Sequence, residues 1–379
     1  MRDTSLYSIN DIRKYVDAEN FGLILDTANA KYNTAIWRKY ADWGTPTNDR
    51  EWLQGEKETP ILVRASVLGL HSNKPQRNTE GWKVYGGTLP KIGHGFSIDE
   101  SDLIELRKRS KLNDIPYGNL VTDSLIQNSG NMLGGIHAEL NYMLLQAMST
   151  AQINDVAVDG TSYDFKFPIK DNRFAKFAEG KAWFNTDGRA NTDADPIQDL
   201  IDAQDYYTDD LNLAVDHWKV SKKLLKKFCQ HPSVKKSILA TMDYHSENIP
   251  NVILPEDKIL TAVHNLGVWM FDVIDHKSRH EEDGVAVNDA PAFDEHNFVA
   301  APSTFKPFEM KCMNSIYKDR VNMGGMTAAN LYSFVEDRIA VLSTWQERPI
   351  ENIIDCELYA GPVFKNLSEI GIFTVWTEE

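Results

Sequence analysis

Cysteine is scarce in this chain: Cys229, Cys312 and Cys356 stand far apart, and none belongs to a C-x-x-C pair. That excludes a disulfide scaffold and a cysteine-rich zinc site, and it predicts a reducing compartment. Long apolar runs are also missing. The best candidate, ILVRASVLGL at 61–70, is interrupted by Arg64 and falls short of the ~20 residues that span a bilayer. The opening MRDTSLYSINDIRKYV carries charges where a signal peptide needs an apolar block, so a chain that is neither secreted nor membrane-anchored is expected. Glycine (22) and proline (15) are too few for a collagen-like or proline-rich linker protein. Positive charge is the sparser sign: 40 Lys and Arg face 55 Asp and Glu, a net charge of −15. Such a surface repels nucleic acid and anionic lipid, which argues against a dedicated DNA-binding protein.

What is present is an ordinary folding composition, 42% hydrophobic and 25% charged over 379 residues, enough for two or three structural units. Residues 5–17 read as a short helix capped by Ser8. Residues 18–59 show no clear period but hold Trp37, Trp43 and Trp52. A long irregular aromatic segment has no core of its own and is expected to drape over its own domain or over a neighbouring molecule. Residues 60–98 read as a long β-hairpin, with ILVRASVL and WKVYG as arms and Gly86, Gly87, Gly93 and Gly95 marking bends. Alone, such an arm is marginal, so it is expected to lean on something else.

Acids at 99–102 and bases at 107–109 frame a helix suited to its own dipole. Leu125, Met132, Leu133, Ile136, Leu140 and Leu144 recur at three- and four-residue steps and predict a rod over 119–149. Gly130, Gly134 and Gly135 are expected to weaken or bend its middle. Strands follow around Asp159-Gly160, and Asp195-Pro196 opens a helix with a good cap and a proline at its first position. Leu211, Leu213 and Val215 alternate as a strand, Ser221 caps KKLLKKF, and Pro255 opens a further helix. VWMFDVI at 268–274 reads as a buried strand, 275–296 as a polar loop, and FVAAP, ELYAGPVF and IGIFTVW as strands. Without a regular βαβ alternation, the class is α+β.

No phosphate-binding loop, dinucleotide fingerprint or nucleophile elbow occurs. The best catalytic candidate is the pair His276 and His280: four residues apart, they would share one helix face, and Asp275, Glu281, Glu282, Asp283, Asp294 and Glu295 could complete a metal site. The competing reading is a solvated loop between two strands, favoured by Lys277, Arg279 and Gly284. Cys229, near His231, reads as a core thiol. The basic runs at 107–111 and 222–227 read as the positive end of a helix and the wet face of an amphipathic helix. No cofactor is implied.

Three short stretches, in this order, carry a resemblance. They are YDFKFP at 163–168 with Trp183 and DADPIQDLIDA at 193–203; LGVWMFDVID at 266–275 followed by FVAAPS at 298–303; and ELYAGPVFKNLSEIGIFTV at 357–375. Together they resemble the major capsid proteins of tailed phages, and among them the phage lambda type. The resemblance implies a Hong Kong 97-type capsid fold: an N-terminal arm at 1–59, an extended β-hairpin loop at 60–98, and a peripheral domain at 99–195 with its spine helix at 119–149. It further implies an axial domain at 196–349 and C-terminal strands at 350–379 returning to the peripheral domain.

The implied function is self-assembly into the pentamers and hexamers of an icosahedral head around double-stranded DNA, inside a bacterial host. Trp82, Lys83, Val84 and Tyr85 of the hairpin and Trp37 and Trp43 of the arm are then the inter-subunit contact candidates. A separate scaffold protein, a portal and a decoration protein are implied partners, DNA is touched only weakly, and no membrane is involved. Some relatives cross-link a loop lysine, for which Lys83 is placed, but the lambda-type likeness argues against that bond. The alternatives are an encapsulin-like compartment shell, a metallo-hydrolase using His276 and His280, and an almost purely β tail-tube subunit.

Overall fold

The structure is a computed structural model, and it describes residues 18–56, 83–113, 117–156, 160, 162–177, 181–241, 254–282, 285–303, 306–322 and 330–376. The expected helix at 5–17, the hairpin residues up to and including Trp82, and the turn at Asp159 lie outside the described residues. In chain order the elements are α1 (Ala18–Asn29), α2 (Ile36–Tyr40), β1 (Ala41–Trp43), β2 (Glu51–Glu56), β3 (Lys83–Thr88), β4 (Lys91–Asp99), α3 (Glu100–Asn113) and α4 (Tyr117–Thr150). Next come β5 (Gln152–Val156), β6 (Ser162–Lys166), β7 (Phe174–Lys176), α5 (Pro196–Asp205), β8 (His217–Ser221), α6 (Lys222–Gln230), α7 (Pro232–Thr241) and α8 (Glu256–Asn265). The rest are β9 (Met270–Ile274), β10 (Arg279–Glu282), β11 (Val285–Asn288), β12 (Asn297–Ala301), β13 (Phe308–Met313), α9 (Tyr317–Asn322), β14 (Asn330–Val335), β15 (Ile339–Glu347), β16 (Ile350–Phe364) and β17 (Gly371–Thr374). The α+β class and the long helix expected over 119–149 are therefore both present.

The chain divides into two compact units, one drawn from 1–52, 87–141 and 308–363, the other from 53–86, 142–307 and 364–379. These differ from the divisions expected at 195/196 and 349/350. Residues 308–349 do not fold with 196–307. β15 lies antiparallel to β16 from Ala340–Glu357 to Glu347–Ile350, and β16 is antiparallel on its other side to β4, from Lys91–Tyr359 to Asp99–Glu351. Residues 91–98, expected in the hairpin, thus belong to a sheet ordered β1-β13-β16-β15-β14, with β4 attached to β16.

Of the two outcomes expected for the aromatic segment 18–59, residues 18–43 take the first, packing within their own unit, and they do so with a helix that the sequence reading did not include. In α1, Phe21, Ile24, Leu25 and Ala28 are buried, at the i, i+3, i+4, i+7 spacing of a helix with one apolar face, and the helix packs on β14. β1 then joins the sheet in parallel with β13, Ala41 opposite Phe308.

The second unit is built on a sheet ordered β7-β17-β12-β8-β9. Its core gathers Trp183, Trp218, Phe228, Phe298 and Phe373, with Leu200, Leu224 and Val263 from three helices. The caps fall where the sequence placed them. The Asp195 carboxylate accepts from the Gln198 backbone N–H at 3.4 Å with Pro196 behind it, and Ser221 Oγ accepts from Leu224 N–H at 3.2 Å. One strand expectation fails and one holds only in part. Residues 211–215 form no strand, Asn212 turning with φ of 49°, and the strand begins at His217 instead. The strand expected at 268–274 forms as β9, but at the sheet edge, with Met270 and Val273 exposed and burial confined to Val268 and Ile274 at the two ends of the stretch.

Candidate functional site

The most tightly specified polar site joins α1, α2, α4 and the β14–β15 turn. His137 of α4 is buried. Its Nδ1 accepts from Trp37 Nε1–H at 3.1 Å, which leaves Nε2 to donate to Asn29 Oδ1 at 2.9 Å. The Trp37 backbone N–H donates to Asn141 Oδ1 at 2.7 Å, so α2 is stitched to α4 twice. Tyr32 stacks on His137 with ring centroids 5.1 Å apart and donates its hydroxyl to the Gly130 carbonyl at 2.6 Å. That approach explains one helix glycine: a Cβ at Gly134 would lie 2.4 Å from the Tyr32 hydroxyl, and one at Gly135 would lie 2.9 Å from the His94 ring. The glycines that the sequence suggests as weak points form the groove in which these two rings sit.

Glu336 closes the site from the β14–β15 turn, where it and Asp337 have φ of 52° and 60°, a conformation that costs energy in a residue with a Cβ. Its carboxylate accepts from Asn29 Nδ2 and Trp43 Nε1, each at 2.6 Å, and is ion-paired with Arg38. Burial disfavours the charged carboxylate, but the Trp43, Arg38 and Asn29 hydrogen bonds and the Arg38 charge outweigh it, and the pKa is lowered.

Burial, helped by the Arg38 charge and opposed by Glu336, pushes His137 down to about 4 from 6.5. The sign follows. The unfolded imidazole takes up its proton below about 6.5 and the folded one only near 4, so this contribution is intact above pH 6.5 and is lost as the pH falls toward 4. The loss approaches about 3 kcal/mol at 1.36 kcal/mol per pKa unit. Urea midpoints at pH 7 and pH 4.5 should separate more for the wild type than for His137→Gln; equal separations would refute a neutral, buried His137.

Other surfaces are left uncovered by the described residues of the chain itself. β2 and β3 pair only with each other there, with Leu53 73% and Val84 65% exposed. Tyr85 anchors the ribbon by donating its hydroxyl to the Phe364 carbonyl at 2.8 Å. Among the described side chains of α3 only Leu103 is buried. Of the expected inter-subunit contacts, Val84 is presented outward, Tyr85 is half-buried, Lys83 lies in β3, and Trp82 is outside the described residues. Trp37 is 1% exposed, covered by its own chain. Trp43 is half-buried and spends its N–H on Glu336.

The metal reading of His276 and His280 loses its premise. The segment is not helical: β10 and β11 form a hairpin with His280 opposite Val287. His280 Nδ1 contacts the Asp289 carboxylate, while His276 Nε2 is buried without a hydrogen bond. Among the described residues no group of three or more His, Cys, Asp or Glu side chains could hold a metal ion. Cys229 is a core thiol, pushed up by burial to about 12, and His231 is buried with Nε2 3.1 Å from the Trp183 carbonyl. Two lysines of the 222–227 run are paired within the chain, Lys222 with Asp275 and Lys223 with Glu295, as expected of a solvated face. No helix among the described residues is long and apolar enough to cross a membrane.

Comparison with protein families matches residues 29–263, more than half of the chain, to phage major capsid protein E. No curated protein matches the sequence. Among solved structures, a phage-related protein from Bordetella bronchiseptica RB50 is similar at a TM-score of 0.48 and 12% identity, over 93% of this chain and 96% of that one. The capsid of Myoviridae phage XM1 is similar at 0.42 and 13%, over 90% and 92%, and that of cyanophage A-1(L) at 0.42 and 12%, over 92% and 93%. The stretches at 266–303 and 357–375 that carry part of the sequence resemblance fall outside the family match.

Proposed function

The chain belongs to the phage major capsid protein E family and is a structural component of the phage head shell; on that premise we propose that its copies form pentamers and hexamers that close an icosahedral shell of the Hong Kong 97 type around double-stranded DNA. In this reading the unit holding the β7-β17-β12-β8-β9 sheet serves as the axial domain, and α4 is the spine of the peripheral one. Assembly takes place in the host cytoplasm with a separate scaffold protein and a portal, and DNA is touched only weakly. A wall of net charge −15 gives packaged phosphates little to adhere to.

The observation that carries the reading is the β2–β3 ribbon. Two strands alone are marginal in water, and this pair presents Leu53 and Val84 outward, so its missing burial is supplied by another copy. Each contact can be modest because every subunit makes many at once. The test is Leu53→Asp with Val84→Asp. The circular dichroism and urea midpoint of the dissociated subunit should stay at wild-type values, while the yield of closed shells in electron micrographs falls by about tenfold or more, as a loss of ~1.4 kcal/mol per contact already requires. Wild-type shell yields from the double variant would sink the role given to the ribbon.

A further inference from the structure

Helix α3 is held helical by local devices in place of a core. Asp99 and Asp102 cap it reciprocally: the Asp102 backbone N–H donates to Asp99 Oδ1 at 2.9 Å, and the Asp99 N–H donates to Asp102 Oδ2 at 3.2 Å. Glu100 and Asp102 lie in its first turn and Lys111 in its last, as the helix dipole favours. Glu105 and Arg109 form an i, i+4 ion pair at 58% and 61% exposure. Leu103 is the one buried side chain among those described, while Leu112 is 83% exposed. A helix of 14 residues is marginal without tertiary packing, so the devices that keep it formed also hold a defined face out to solvent.

That face has a pattern. At ~100° per residue, Ser101, Glu105, Lys108 and Leu112 fall within roughly 60° of arc opposite Leu103. Read backwards the stripe is complementary to itself: acid opposite base at its centre, small opposite large at its ends. We propose that α3 pairs antiparallel with α3 of a second copy about a two-fold axis passing between positions 106 and 107. Each Glu105 then faces Lys108 of the second copy, and each Leu112 covers Ser101 of the second copy. This is the isologous contact that a two-fold relation requires.

The partner is a protein and not the packaged nucleic acid. Glu105 sits in the middle of the stripe, where it would repel phosphate, and Leu112 with the half-exposed Ile104 offers apolar area that a DNA backbone does not use. A single helix pair buries too little to hold a dimer alone, so it acts as one of many contacts within a closed shell. The inference rests on the shell-forming role proposed above.

Its test reverses charges in the full-length chain. Glu105→Lys and Lys108→Glu each place like charges across the axis, which opposes association. Each alone should lower the yield of closed shells at low salt by about tenfold, equivalent to ~1.4 kcal/mol. Combined, they exchange the two signs, restore complementarity, and should return the yield to within about twofold of wild type, a fraction of that energy. A second measurement reads the contact directly. Equal parts of light and isotopically heavy subunits are assembled and treated with a carbodiimide, which joins a carboxylate to an amine it touches. About half of the peptides linking Glu105 to Lys108 should carry one light and one heavy half, as random pairing of an equal mixture requires.

Single variants that close shells at wild-type yield, a double variant no better than the singles, or assembled shells without the mixed-label peptide would each overturn the helix pair while leaving the shell reading intact. A wild-type chain that makes no shells yet gives the mixed-label peptide would keep the pair and remove the shell reading. Neither shells nor peptide would remove both.

Discussion

Trp37→Ala lowers the unfolding free energy of the dissociated subunit by about 3–5 kcal/mol, the range for deleting a fully buried indole. The ring lies edge-on to Trp43 at 4.8 Å, parallel to His137 at 6.0 Å, and beneath the Arg38 guanidinium at 4.5 Å. Alanine opens a cavity there and also removes the donor that satisfies His137 Nδ1; an orphaned buried acceptor adds about 1–3 kcal/mol. Trp37→Phe separates the two, keeping most of the contact area and losing only the hydrogen bond, so its urea midpoint should fall between those of alanine and wild type. A midpoint that does not move, with shell assembly alone impaired, would restore Trp37 to the surface between subunits.

The second large effect is expected at Trp183. Its indole is fully buried, with ring centroids 5.5 Å from Phe298, 5.7 Å from Phe228 and 6.0 Å from Phe373. Nε1–H donates to Asp199 Oδ2 at 2.7 Å, and the backbone N–H donates to the Val375 carbonyl at 3.1 Å. One residue thus ties the segment before α5 to the end of the chain. Trp183→Ala should cost about 3–5 kcal/mol, seen as loss of near-ultraviolet circular dichroism at lower urea. Leu112→Ala, on an exposed helix face, should move the same transition by no more than about 0.5 kcal/mol. Equal effects at the two positions would mean that Trp183 does not sit in a packed core.

The legible parts of the molecule were those set by local chemistry. Leucines and methionines at three- and four-residue steps gave α4 to within a couple of residues, and Asp195-Pro196 and Ser221 marked helix starts because capping is decided within one turn. In residues 18–43 the helical period of Phe21, Ile24, Leu25 and Ala28 spans only two turns, too short to stand out beside the dispersed Trp37, Trp43 and Trp52. The partners of this segment lie far away in sequence, Ala41 beside Phe308 and Asn29 on Glu336, and no local pattern announces such pairings. Leu211, Leu213 and Val215 imitated a strand, while the true one, His217–Ser221, hid behind Lys219, a lysine buried against Asp272. Trp37 could not be told from an exposed residue by its sequence alone, because what buries it, His137 and Asn141 of α4, lies a hundred residues away.

The pairing of β4 with β16 has a consequence for how the polypeptide is made. Ile98 meets Asn352, and Ile92 meets Leu358, so a ribosome must add roughly 250 more amino acids before the earlier strand finds its mate. At ~5–20 residues per second that delay is on the order of 10–50 s. Throughout it the nascent strand has an unsatisfied edge in a crowded polysome, where neighbouring unfinished copies offer the same edge, and keeping those edges apart falls to whatever holds the emerging chain.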